Sequence, residues 1–207
     1  MIGLFFEVMP RPGHDQAYFD IAASLRPELD KNPGMLFIDR FRSQVRQRLV
    51  LSHSHWRDEA SLASWRTHAK HHAAQIAGRA QHFEDYRLRI AQLACEWRPQ
   101  PGGLRRLEIN NSYNDPTLRQ ERYMIASTAN RSVEAAAESD VLSSVSRESE
   151  YIVLTPTPSL ADGLSAVERL ALTGAMTSVR LYLVSRDYGM YDRNEAPQYY
   201  PPLERRG

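Results

Sequence analysis

Several things are scarce in this sequence. It has one cysteine, Cys95, so no internal disulfide can form. No apolar run approaches the roughly 20 residues that a membrane-spanning helix needs; the longest are of the order of Ile152-Val153-Leu154. Net charge is almost absent, +1 from 26 basic and 25 acidic side chains. That balance supplies no broad field for nucleic acid or an acidic lipid surface. The opening residues, MIGLFFEVMP, lack a basic start and a small-residue cleavage site. They read as a strand rather than a signal peptide, and a cytoplasmic location is expected. Histidine disappears after His82. The 207 residues are otherwise ordinary for a soluble globular protein, with 42% hydrophobic and 25% charged side chains.

The pattern that is present begins with a strand at 2–9, closed by Pro10, Pro12 and Gly13. Tyr18, Ile21, Ala22, Leu25 and Leu29 recur at helical spacing, which predicts a helix over 15–30 that Pro27 kinks or ends. Strands follow from Met35 and over 48–56. A helix over 58–78 starts at Asp58 as N-cap. At 85–93, Tyr86, Leu88 and Ile90 alternate with Arg87 and Arg89, the mark of a half-buried strand. This β-α-β-β-α-β order in residues 1–97 is the ferredoxin-like unit. Residues 98–119, rich in Pro, Gly and Asn, read as a linker with room for a short strand at 104–109. The pattern then returns more weakly: strand 121–128, helix 131–138, strands 141–147 and 150–155, helix 159–173, strand 177–186. Residues 49–65 and 151–168 match in hydrophobic pattern at an offset near 103. The expected fold is therefore α+β, two ferredoxin-like units (1–97 and a degenerate 120–190) packed sheet to sheet. A Tyr- and Pro-rich tail, 191–207, is expected to dock on the protein.

Residues 50–72, VLSHSHWRDEASLASWRTHAKHH, hold two tryptophans and five of the seven histidines. On one continuous helix Trp65, His68 and His72 share a face, with His71 at its border. Such a stripe against a sheet is either a pocket or a costly core, because buried imidazoles need partners. His53 and His55 share a strand face with Leu51, and line the pocket if that face is open. Trp56 ends the strand beside a helix start. Glu7, on one face with Phe5 and Met9, is either a general base or the ion-pair partner of Arg40 or Arg42. His68 and His72 form an H-x-x-x-H pair, but Ala69-Lys70-His71 lies between them, so the metalloprotease motif fails and no metal site is expected.

The runs FEVMPRPG (6–13), LSHSHWRDEASLASWRTHAKHHAAQIAGR (51–79) and FEDYRLRIAQL (83–93) resemble the antibiotic biosynthesis monooxygenase family of the dimeric α+β barrel superfamily. The resemblance covers nearly all of residues 1–97; the rest is covered by fold pattern alone. It implies a cavity between the sheet and the second helix. It also implies oxygenase chemistry on a small aromatic or electron-rich molecule without an organic cofactor, the deprotonated substrate itself giving electrons to oxygen. Trp65, His68 and His72 are then the expected catalytic set, with one histidine as base, and Glu7, His53, His55, Trp56 and His71 are expected to touch substrate. Other members bind or degrade haem, for which His71 or His72 is the candidate axial ligand. Glu7 stands where those members carry Asn on the first strand. A non-catalytic ligand-binding or assembly domain is the third reading. The expected partner is a small molecule, with either a homodimer or a monomer whose halves pair internally. The second half places Ser159, Glu168 and Ala171 where the first has Trp56, Trp65 and His68, so one pocket per chain is expected.

Overall fold

The computed structural model describes residues 1–99, 102–109, 122–134, 136–198, 200 and 203. β1 (Ile2–Pro10) leads to α1 (Asp15–Leu29), β2 (Met35–Ser43), β3 (Val50–Trp56), α2 (Glu59–Thr67) and α3 (Ala69–Ala77). A five-residue π-helical turn (Gly78–His82) then enters the long β4 (Phe83–Arg98). After β5 (Gly103–Arg106) come β6 (Arg122–Ala129), β7 (Asp140–Ser144), β8 (Tyr151–Thr157), α4 (Leu160–Leu172) and β9 (Ser178–Gly189). Asp58 caps α2 by accepting from the Ser61 amide, and Ser159 caps α4 by accepting from the Asp162 amide. Pro27 falls in the last turn of α1, which ends two residues later. No helix among the described residues is long and apolar enough to cross a membrane. Most of the expected linker, residues 110–119, lies outside the described residues.

The strand pairings are antiparallel. Neighbours run β1-β3-β2-β7-β8-β6-β9-β4, and β4 pairs back onto β1, so eight strands close into a barrel, with β5 added along β4. The architecture is α+β. The inner faces of the two halves meet in the barrel core, and their edges also join, at β2–β7 and at β4–β9, as one continuous sheet. One expectation needs correcting: among the described residues the second half has no first helix. The described part of 131–138 consists of bends, turns and irregular chain, nearly all exposed. RSVEAAAE offers little apolar surface to bury, and so short a helix does not hold itself together in water.

Alternation assigns the two faces of the sheet. Phe5, Phe41, Leu51, Leu93, Leu142 and Tyr182 point into the barrel and form its core. The outer face of the first half carries α1 to α3. On the second half α4 lies flat: a Cβ on Gly163 would come within 2.6 Å of Leu181, so this helix meets the sheet with no gap.

The β2–β7 seam has only three residue pairs, and reciprocal side-chain bonds hold it. Buried Asp39 accepts from the Ser144 and Ser146 hydroxyls, each at 2.9 Å, and from Arg147 Nη2 at 2.7 Å. Asp140 accepts from the Ser43 hydroxyl at 2.7 Å and from Arg46 Nε at 3.0 Å. Ser43 and Ser144 also receive the amides of Arg46 and Arg147. Arg48 and Ser149 both adopt left-handed backbone, φ 64° and 60°. Asp140, Ser144, Arg147 and Ser149 each stand 101 positions after Asp39, Ser43, Arg46 and Arg48. Burial pushes the Asp39 carboxyl up, yet the bonds from Arg147, the Arg40 amide and the two serines together hold it below its usual value.

Removing Arg147 leaves Asp39 buried without its cation. Arg147→Ala and Arg46→Ala are each expected to cost about 1–3 kcal/mol, read as a lower urea midpoint. Arg147→Ala and Asp39→Asn together should cost less than their sum. Unchanged midpoints would mean that the backbone ladder alone holds the seam.

Candidate functional site

A cavity of about 200 Å³ lies between the outer face of the first-half sheet and helices α1 to α3. Strand register lays its floor. Arg40, Ser52, Phe6, Leu88 and Tyr188 form one row across β2, β3, β1, β4 and β9. Ile38, Ser54, Leu4 and Ile90 form the next. Tyr18 and Leu25 of α1, Trp65 and Arg66 of α2, and His71 and Gln75 of α3 make the walls, while Arg79, Arg193, Gln198 and Tyr200 close one side. The lining is mostly apolar. Among the described residues it contains four arginines and no Asp or Glu.

The expected single helix over 58–78 is broken at His68, whose backbone leaves the helical region (φ −59°, ψ 128°). Thr67 loops its hydroxyl back to the Ala63 carbonyl at 3.0 Å, a bond that loosens a helix's last turn. The break frees carbonyls at the end of α2, and α3 satisfies them: His71 Nδ1 lies 2.9 Å from the Trp65 carbonyl, and Gln75 Nε2 donates to the Arg66 carbonyl at 3.2 Å. The new axis turns His71, Ala74, Gln75 and Arg79 inward. His72 is thereby exposed, stacked on Tyr200 with centroids 6.3 Å apart. The shared face of Trp65, His68 and His72, which assumed one helix, does not exist.

His71 stacks on Trp65 (centroids 4.5 Å, 15°). Its Nδ1–H donates to the Trp65 carbonyl, so in the neutral ring Nε2 carries the free lone pair. Burial pushes its pKa down to about 4. His71 is therefore a neutral imidazole near pH 7, on the wall of an apolar cavity.

The other expected residues are dispersed. Trp65 and Trp56 both line the cavity, Trp56 fully buried with its Nε1–H on Ser54 Oγ. His68 stacks on Trp65 but lines a separate surface groove with Asp58 and Ser61. His53 and His55 point into the barrel, away from the cavity. His53 stacks on Phe5 and donates from Nδ1 to the Leu4 carbonyl; His55 Nε2 lies 2.9 Å from His53 Nε2 and 3.2 Å from the Tyr182 hydroxyl. Burial pushes them down to about 3 and about 2, so both are neutral. Glu7 also faces inward, where it pairs with Arg89 and with Arg46 at 2.9 Å rather than with Arg40 or Arg42.

Haem does not fit this geometry. A cavity of about 200 Å³ is too small for a porphyrin, His71 is held against Trp65, and His72 lies outside. Among the described residues no three His, Cys, Asp or Glu side chains converge on a point where a metal ion could sit. Reading the sequence missed Arg40, Arg66, Gln75 and Tyr86. Arg40 and Ser52 carried a usable signal, since each has the strand parity of a cavity-facing neighbour. Gln75 carried none, because a stripe of His, Ala, Gln and Arg does not resemble an inward helix face.

Residues 1–77 match the family described as antibiotic biosynthesis monooxygenase. Jasmonate monooxygenase ABM of Pyricularia oryzae (strain 70-15) is 34% identical, with 98% of this chain and 99% of that protein aligned. Among solved structures, aldoxime dehydratase in complex with butyraldoxime superposes with a TM-score of 0.52 at 11% identity, over 89% of this chain and 78% of that one. That likeness concerns the fold. An anthrone oxidase-like protein aligns with 95% of this chain and 96% of its own at a TM-score of 0.40 and 11% identity.

Three neutral histidines, His53 and His55 buried and His71 half-buried, give a pH signature. Below about pH 6.5 the unfolded chain takes up protons at these positions that the folded chain refuses. Stability should fall as pH drops from 6.5 towards 4, before the carboxylates Asp39 and Glu96, which are held low, are protonated. Urea midpoints at pH 7, 5.5 and 4.5 measure it, and His71→Gln should flatten the slope in part. A midpoint constant down to pH 5 would contradict the burial of these rings.

Proposed function

The chain belongs to the antibiotic biosynthesis monooxygenase family, and we propose that it oxidises a small, mostly apolar, electron-rich molecule in the α1–α3 cavity without an organic cofactor. The observation that carries this is His71, a neutral ring held in one orientation against Trp65 on the wall of a mostly apolar cavity. In this reading His71 Nε2 takes a proton from an acidified carbon of the substrate. The resulting anion passes an electron to oxygen and the two radicals combine as a hydroperoxide; loss of the second hydrogen of the same carbon as a proton then breaks the O–O bond, leaving one oxygen on the product as a carbonyl and releasing the other as water. The substrate supplies the electrons. The protein supplies the base, the orientation and a dry site. Jasmonate, named in the Pyricularia relative, is the first compound to test because it is a small ketone with acidic C–H bonds.

We also infer that the two halves derive from one unit. Support comes from the constant offset of 101 between the two arms of the β2–β7 seam, close to the offset near 103 read from the hydrophobic pattern. The second half then plays the part of a partner subunit, and a single chain should sediment as a monomer. A stable dimer at micromolar concentration would count against internal pairing as the reason for closure.

Oxygen uptake by the purified protein with jasmonate, and with a panel of phenols, tests the reaction. We expect uptake with no flavin, nicotinamide or metal added. His71→Gln should lower kcat/KM by roughly a hundredfold or more, the scale of a lost general base. His72→Gln should stay within about threefold of wild type, since its ring lies outside the site. The wild-type kcat/KM should hold from pH 8 to 5 and fall as pH approaches 4, where His71 is protonated. Uptake that appears only with added flavin would refute the cofactor-free reading, and a fully active His71→Gln would place the base elsewhere.

A further inference from the structure

Elsewhere in this protein, arginines stand against buried carboxylates. Arg89 meets Glu7, Arg147 meets Asp39, and Arg180 meets Glu96 at 2.7 Å. Within the cavity, Arg79 and Arg193 are occupied by chain atoms: Arg79 donates to the Met190 carbonyl, and Arg193 to the Gly189 carbonyl and the Tyr86 hydroxyl. Arg40 and Arg66 depart from this pattern. Both line the cavity; each has a buried Nε with no partner, a feature shared by Arg89 and Arg193, and what sets the two apart is the missing counter-charge. No ion pair reaches either among the described residues. A guanidinium against an apolar wall without a counter-charge is costly, and a protein built this way gains when the counter-charge arrives.

The surroundings of Arg40 say what would suit it. It stands in the floor row beside Ser52, and the buried Tyr18 hydroxyl lies within reach of both side chains as their hydrogen-bond acceptor. The Tyr18 O–H is then available as a donor towards the cavity. Strand alternation turns the neighbouring Asp39 to the opposite face, where Arg147 holds it. Asp15 at the start of α1 is drawn to Arg42 instead. One fixed cation and the Tyr18 O–H, its oxygen held by Ser52, thus converge with no acid beside them among the described residues. A planar anion with two oxygens and a single charge matches that set of donors. The remaining lining, Phe6, Leu25, Ile38 and Leu88 among it, asks for an apolar body.

We propose that the cavity binds a small apolar carboxylate, and that Arg40, with Tyr18 and Ser52, forms the seat for its carboxylate group. The proposal rests on reading this cavity as the substrate site. It does not depend on the oxygen chemistry. Arg66 lies beside Tyr188, at the other end of the floor row, and serves as the internal comparison.

The test is to titrate the intact protein with jasmonate and with octanoate, each alongside its methyl ester, following the fluorescence of Trp56 and Trp65. Wild type should bind each acid about tenfold to a hundredfold more tightly than its ester, the scale of a charge-assisted bond to a buried cation. Arg40→Met should bring acid and ester within about threefold by weakening the acid alone, and Arg40→Lys should restore part of the gap. Arg66→Met should leave the gap in place. Tyr18→Phe, which keeps every charge, should narrow it. Three results would overturn the proposal: esters that bind as well as acids in wild type, an acid preference that survives Arg40→Met, or no binding by any of the four compounds. Oxygen uptake in the same samples separates the two readings. Uptake without acid preference removes the carboxylate seat and keeps the oxygenase, whereas acid preference without uptake with any compound tested does the reverse.

Discussion

The seam between β2 and β7 governs the rest of the structure. Three backbone pairs are too few to define the join of two half-barrels. Buried Asp39 and half-buried Asp140, each answered by serine and arginine side chains across the seam, set its register. Register matters because side chains alternate. A slip of one residue would exchange the barrel core for the cavity floor. The row from Arg40 to Tyr188 exists because this seam and the longer β4–β9 ladder lock the sheet from both edges.

Closure also explains how histidines are used. Both faces of the first-half sheet are covered, one by the opposite barrel wall and the other by helices. His53 and His55, on the barrel side, are satisfied by each other, by Leu4 and by Tyr182, and they are neutral. His71, on the helix side, is fixed through one nitrogen and leaves the other available. The same residue type is a sealed core element on one face and a possible base on the other. The difference lies in what the second ring nitrogen meets.

Much of the architecture was legible because periodicity is strong in residues 1–97: the order of elements, the Asp58 cap and the shared parity of Leu51, His53 and His55 were all readable. The direction of that parity was not, since a strand with both faces buried shows no polar side. The break at His68 was hidden for another reason. It depends on Thr67 folding back on α2 and on His71 and Gln75 reaching carbonyls of the preceding helix, contacts that propensity does not encode. The 131–138 segment failed in the opposite sense. Its local preference is helical, but nothing packs on it. Of the candidate site, the Trp65 and His71 region could be located from sequence. The arginines could not, because the absence of a counter-charge shows only once every neighbour is placed.

The gapless contact of α4 with β9 has an evolutionary consequence. Gly163 against Leu181 leaves no room for a ligand between α4 and β9, so substitutions at that contact answer to packing. On the reading proposed above, the first half answers to folding and to the molecule its cavity takes. Two halves of one barrel are thus exposed to unequal selection. A change of substrate can proceed by drift in α1 to α3, while the other half keeps the barrel closed and absorbs none of the cost of that innovation.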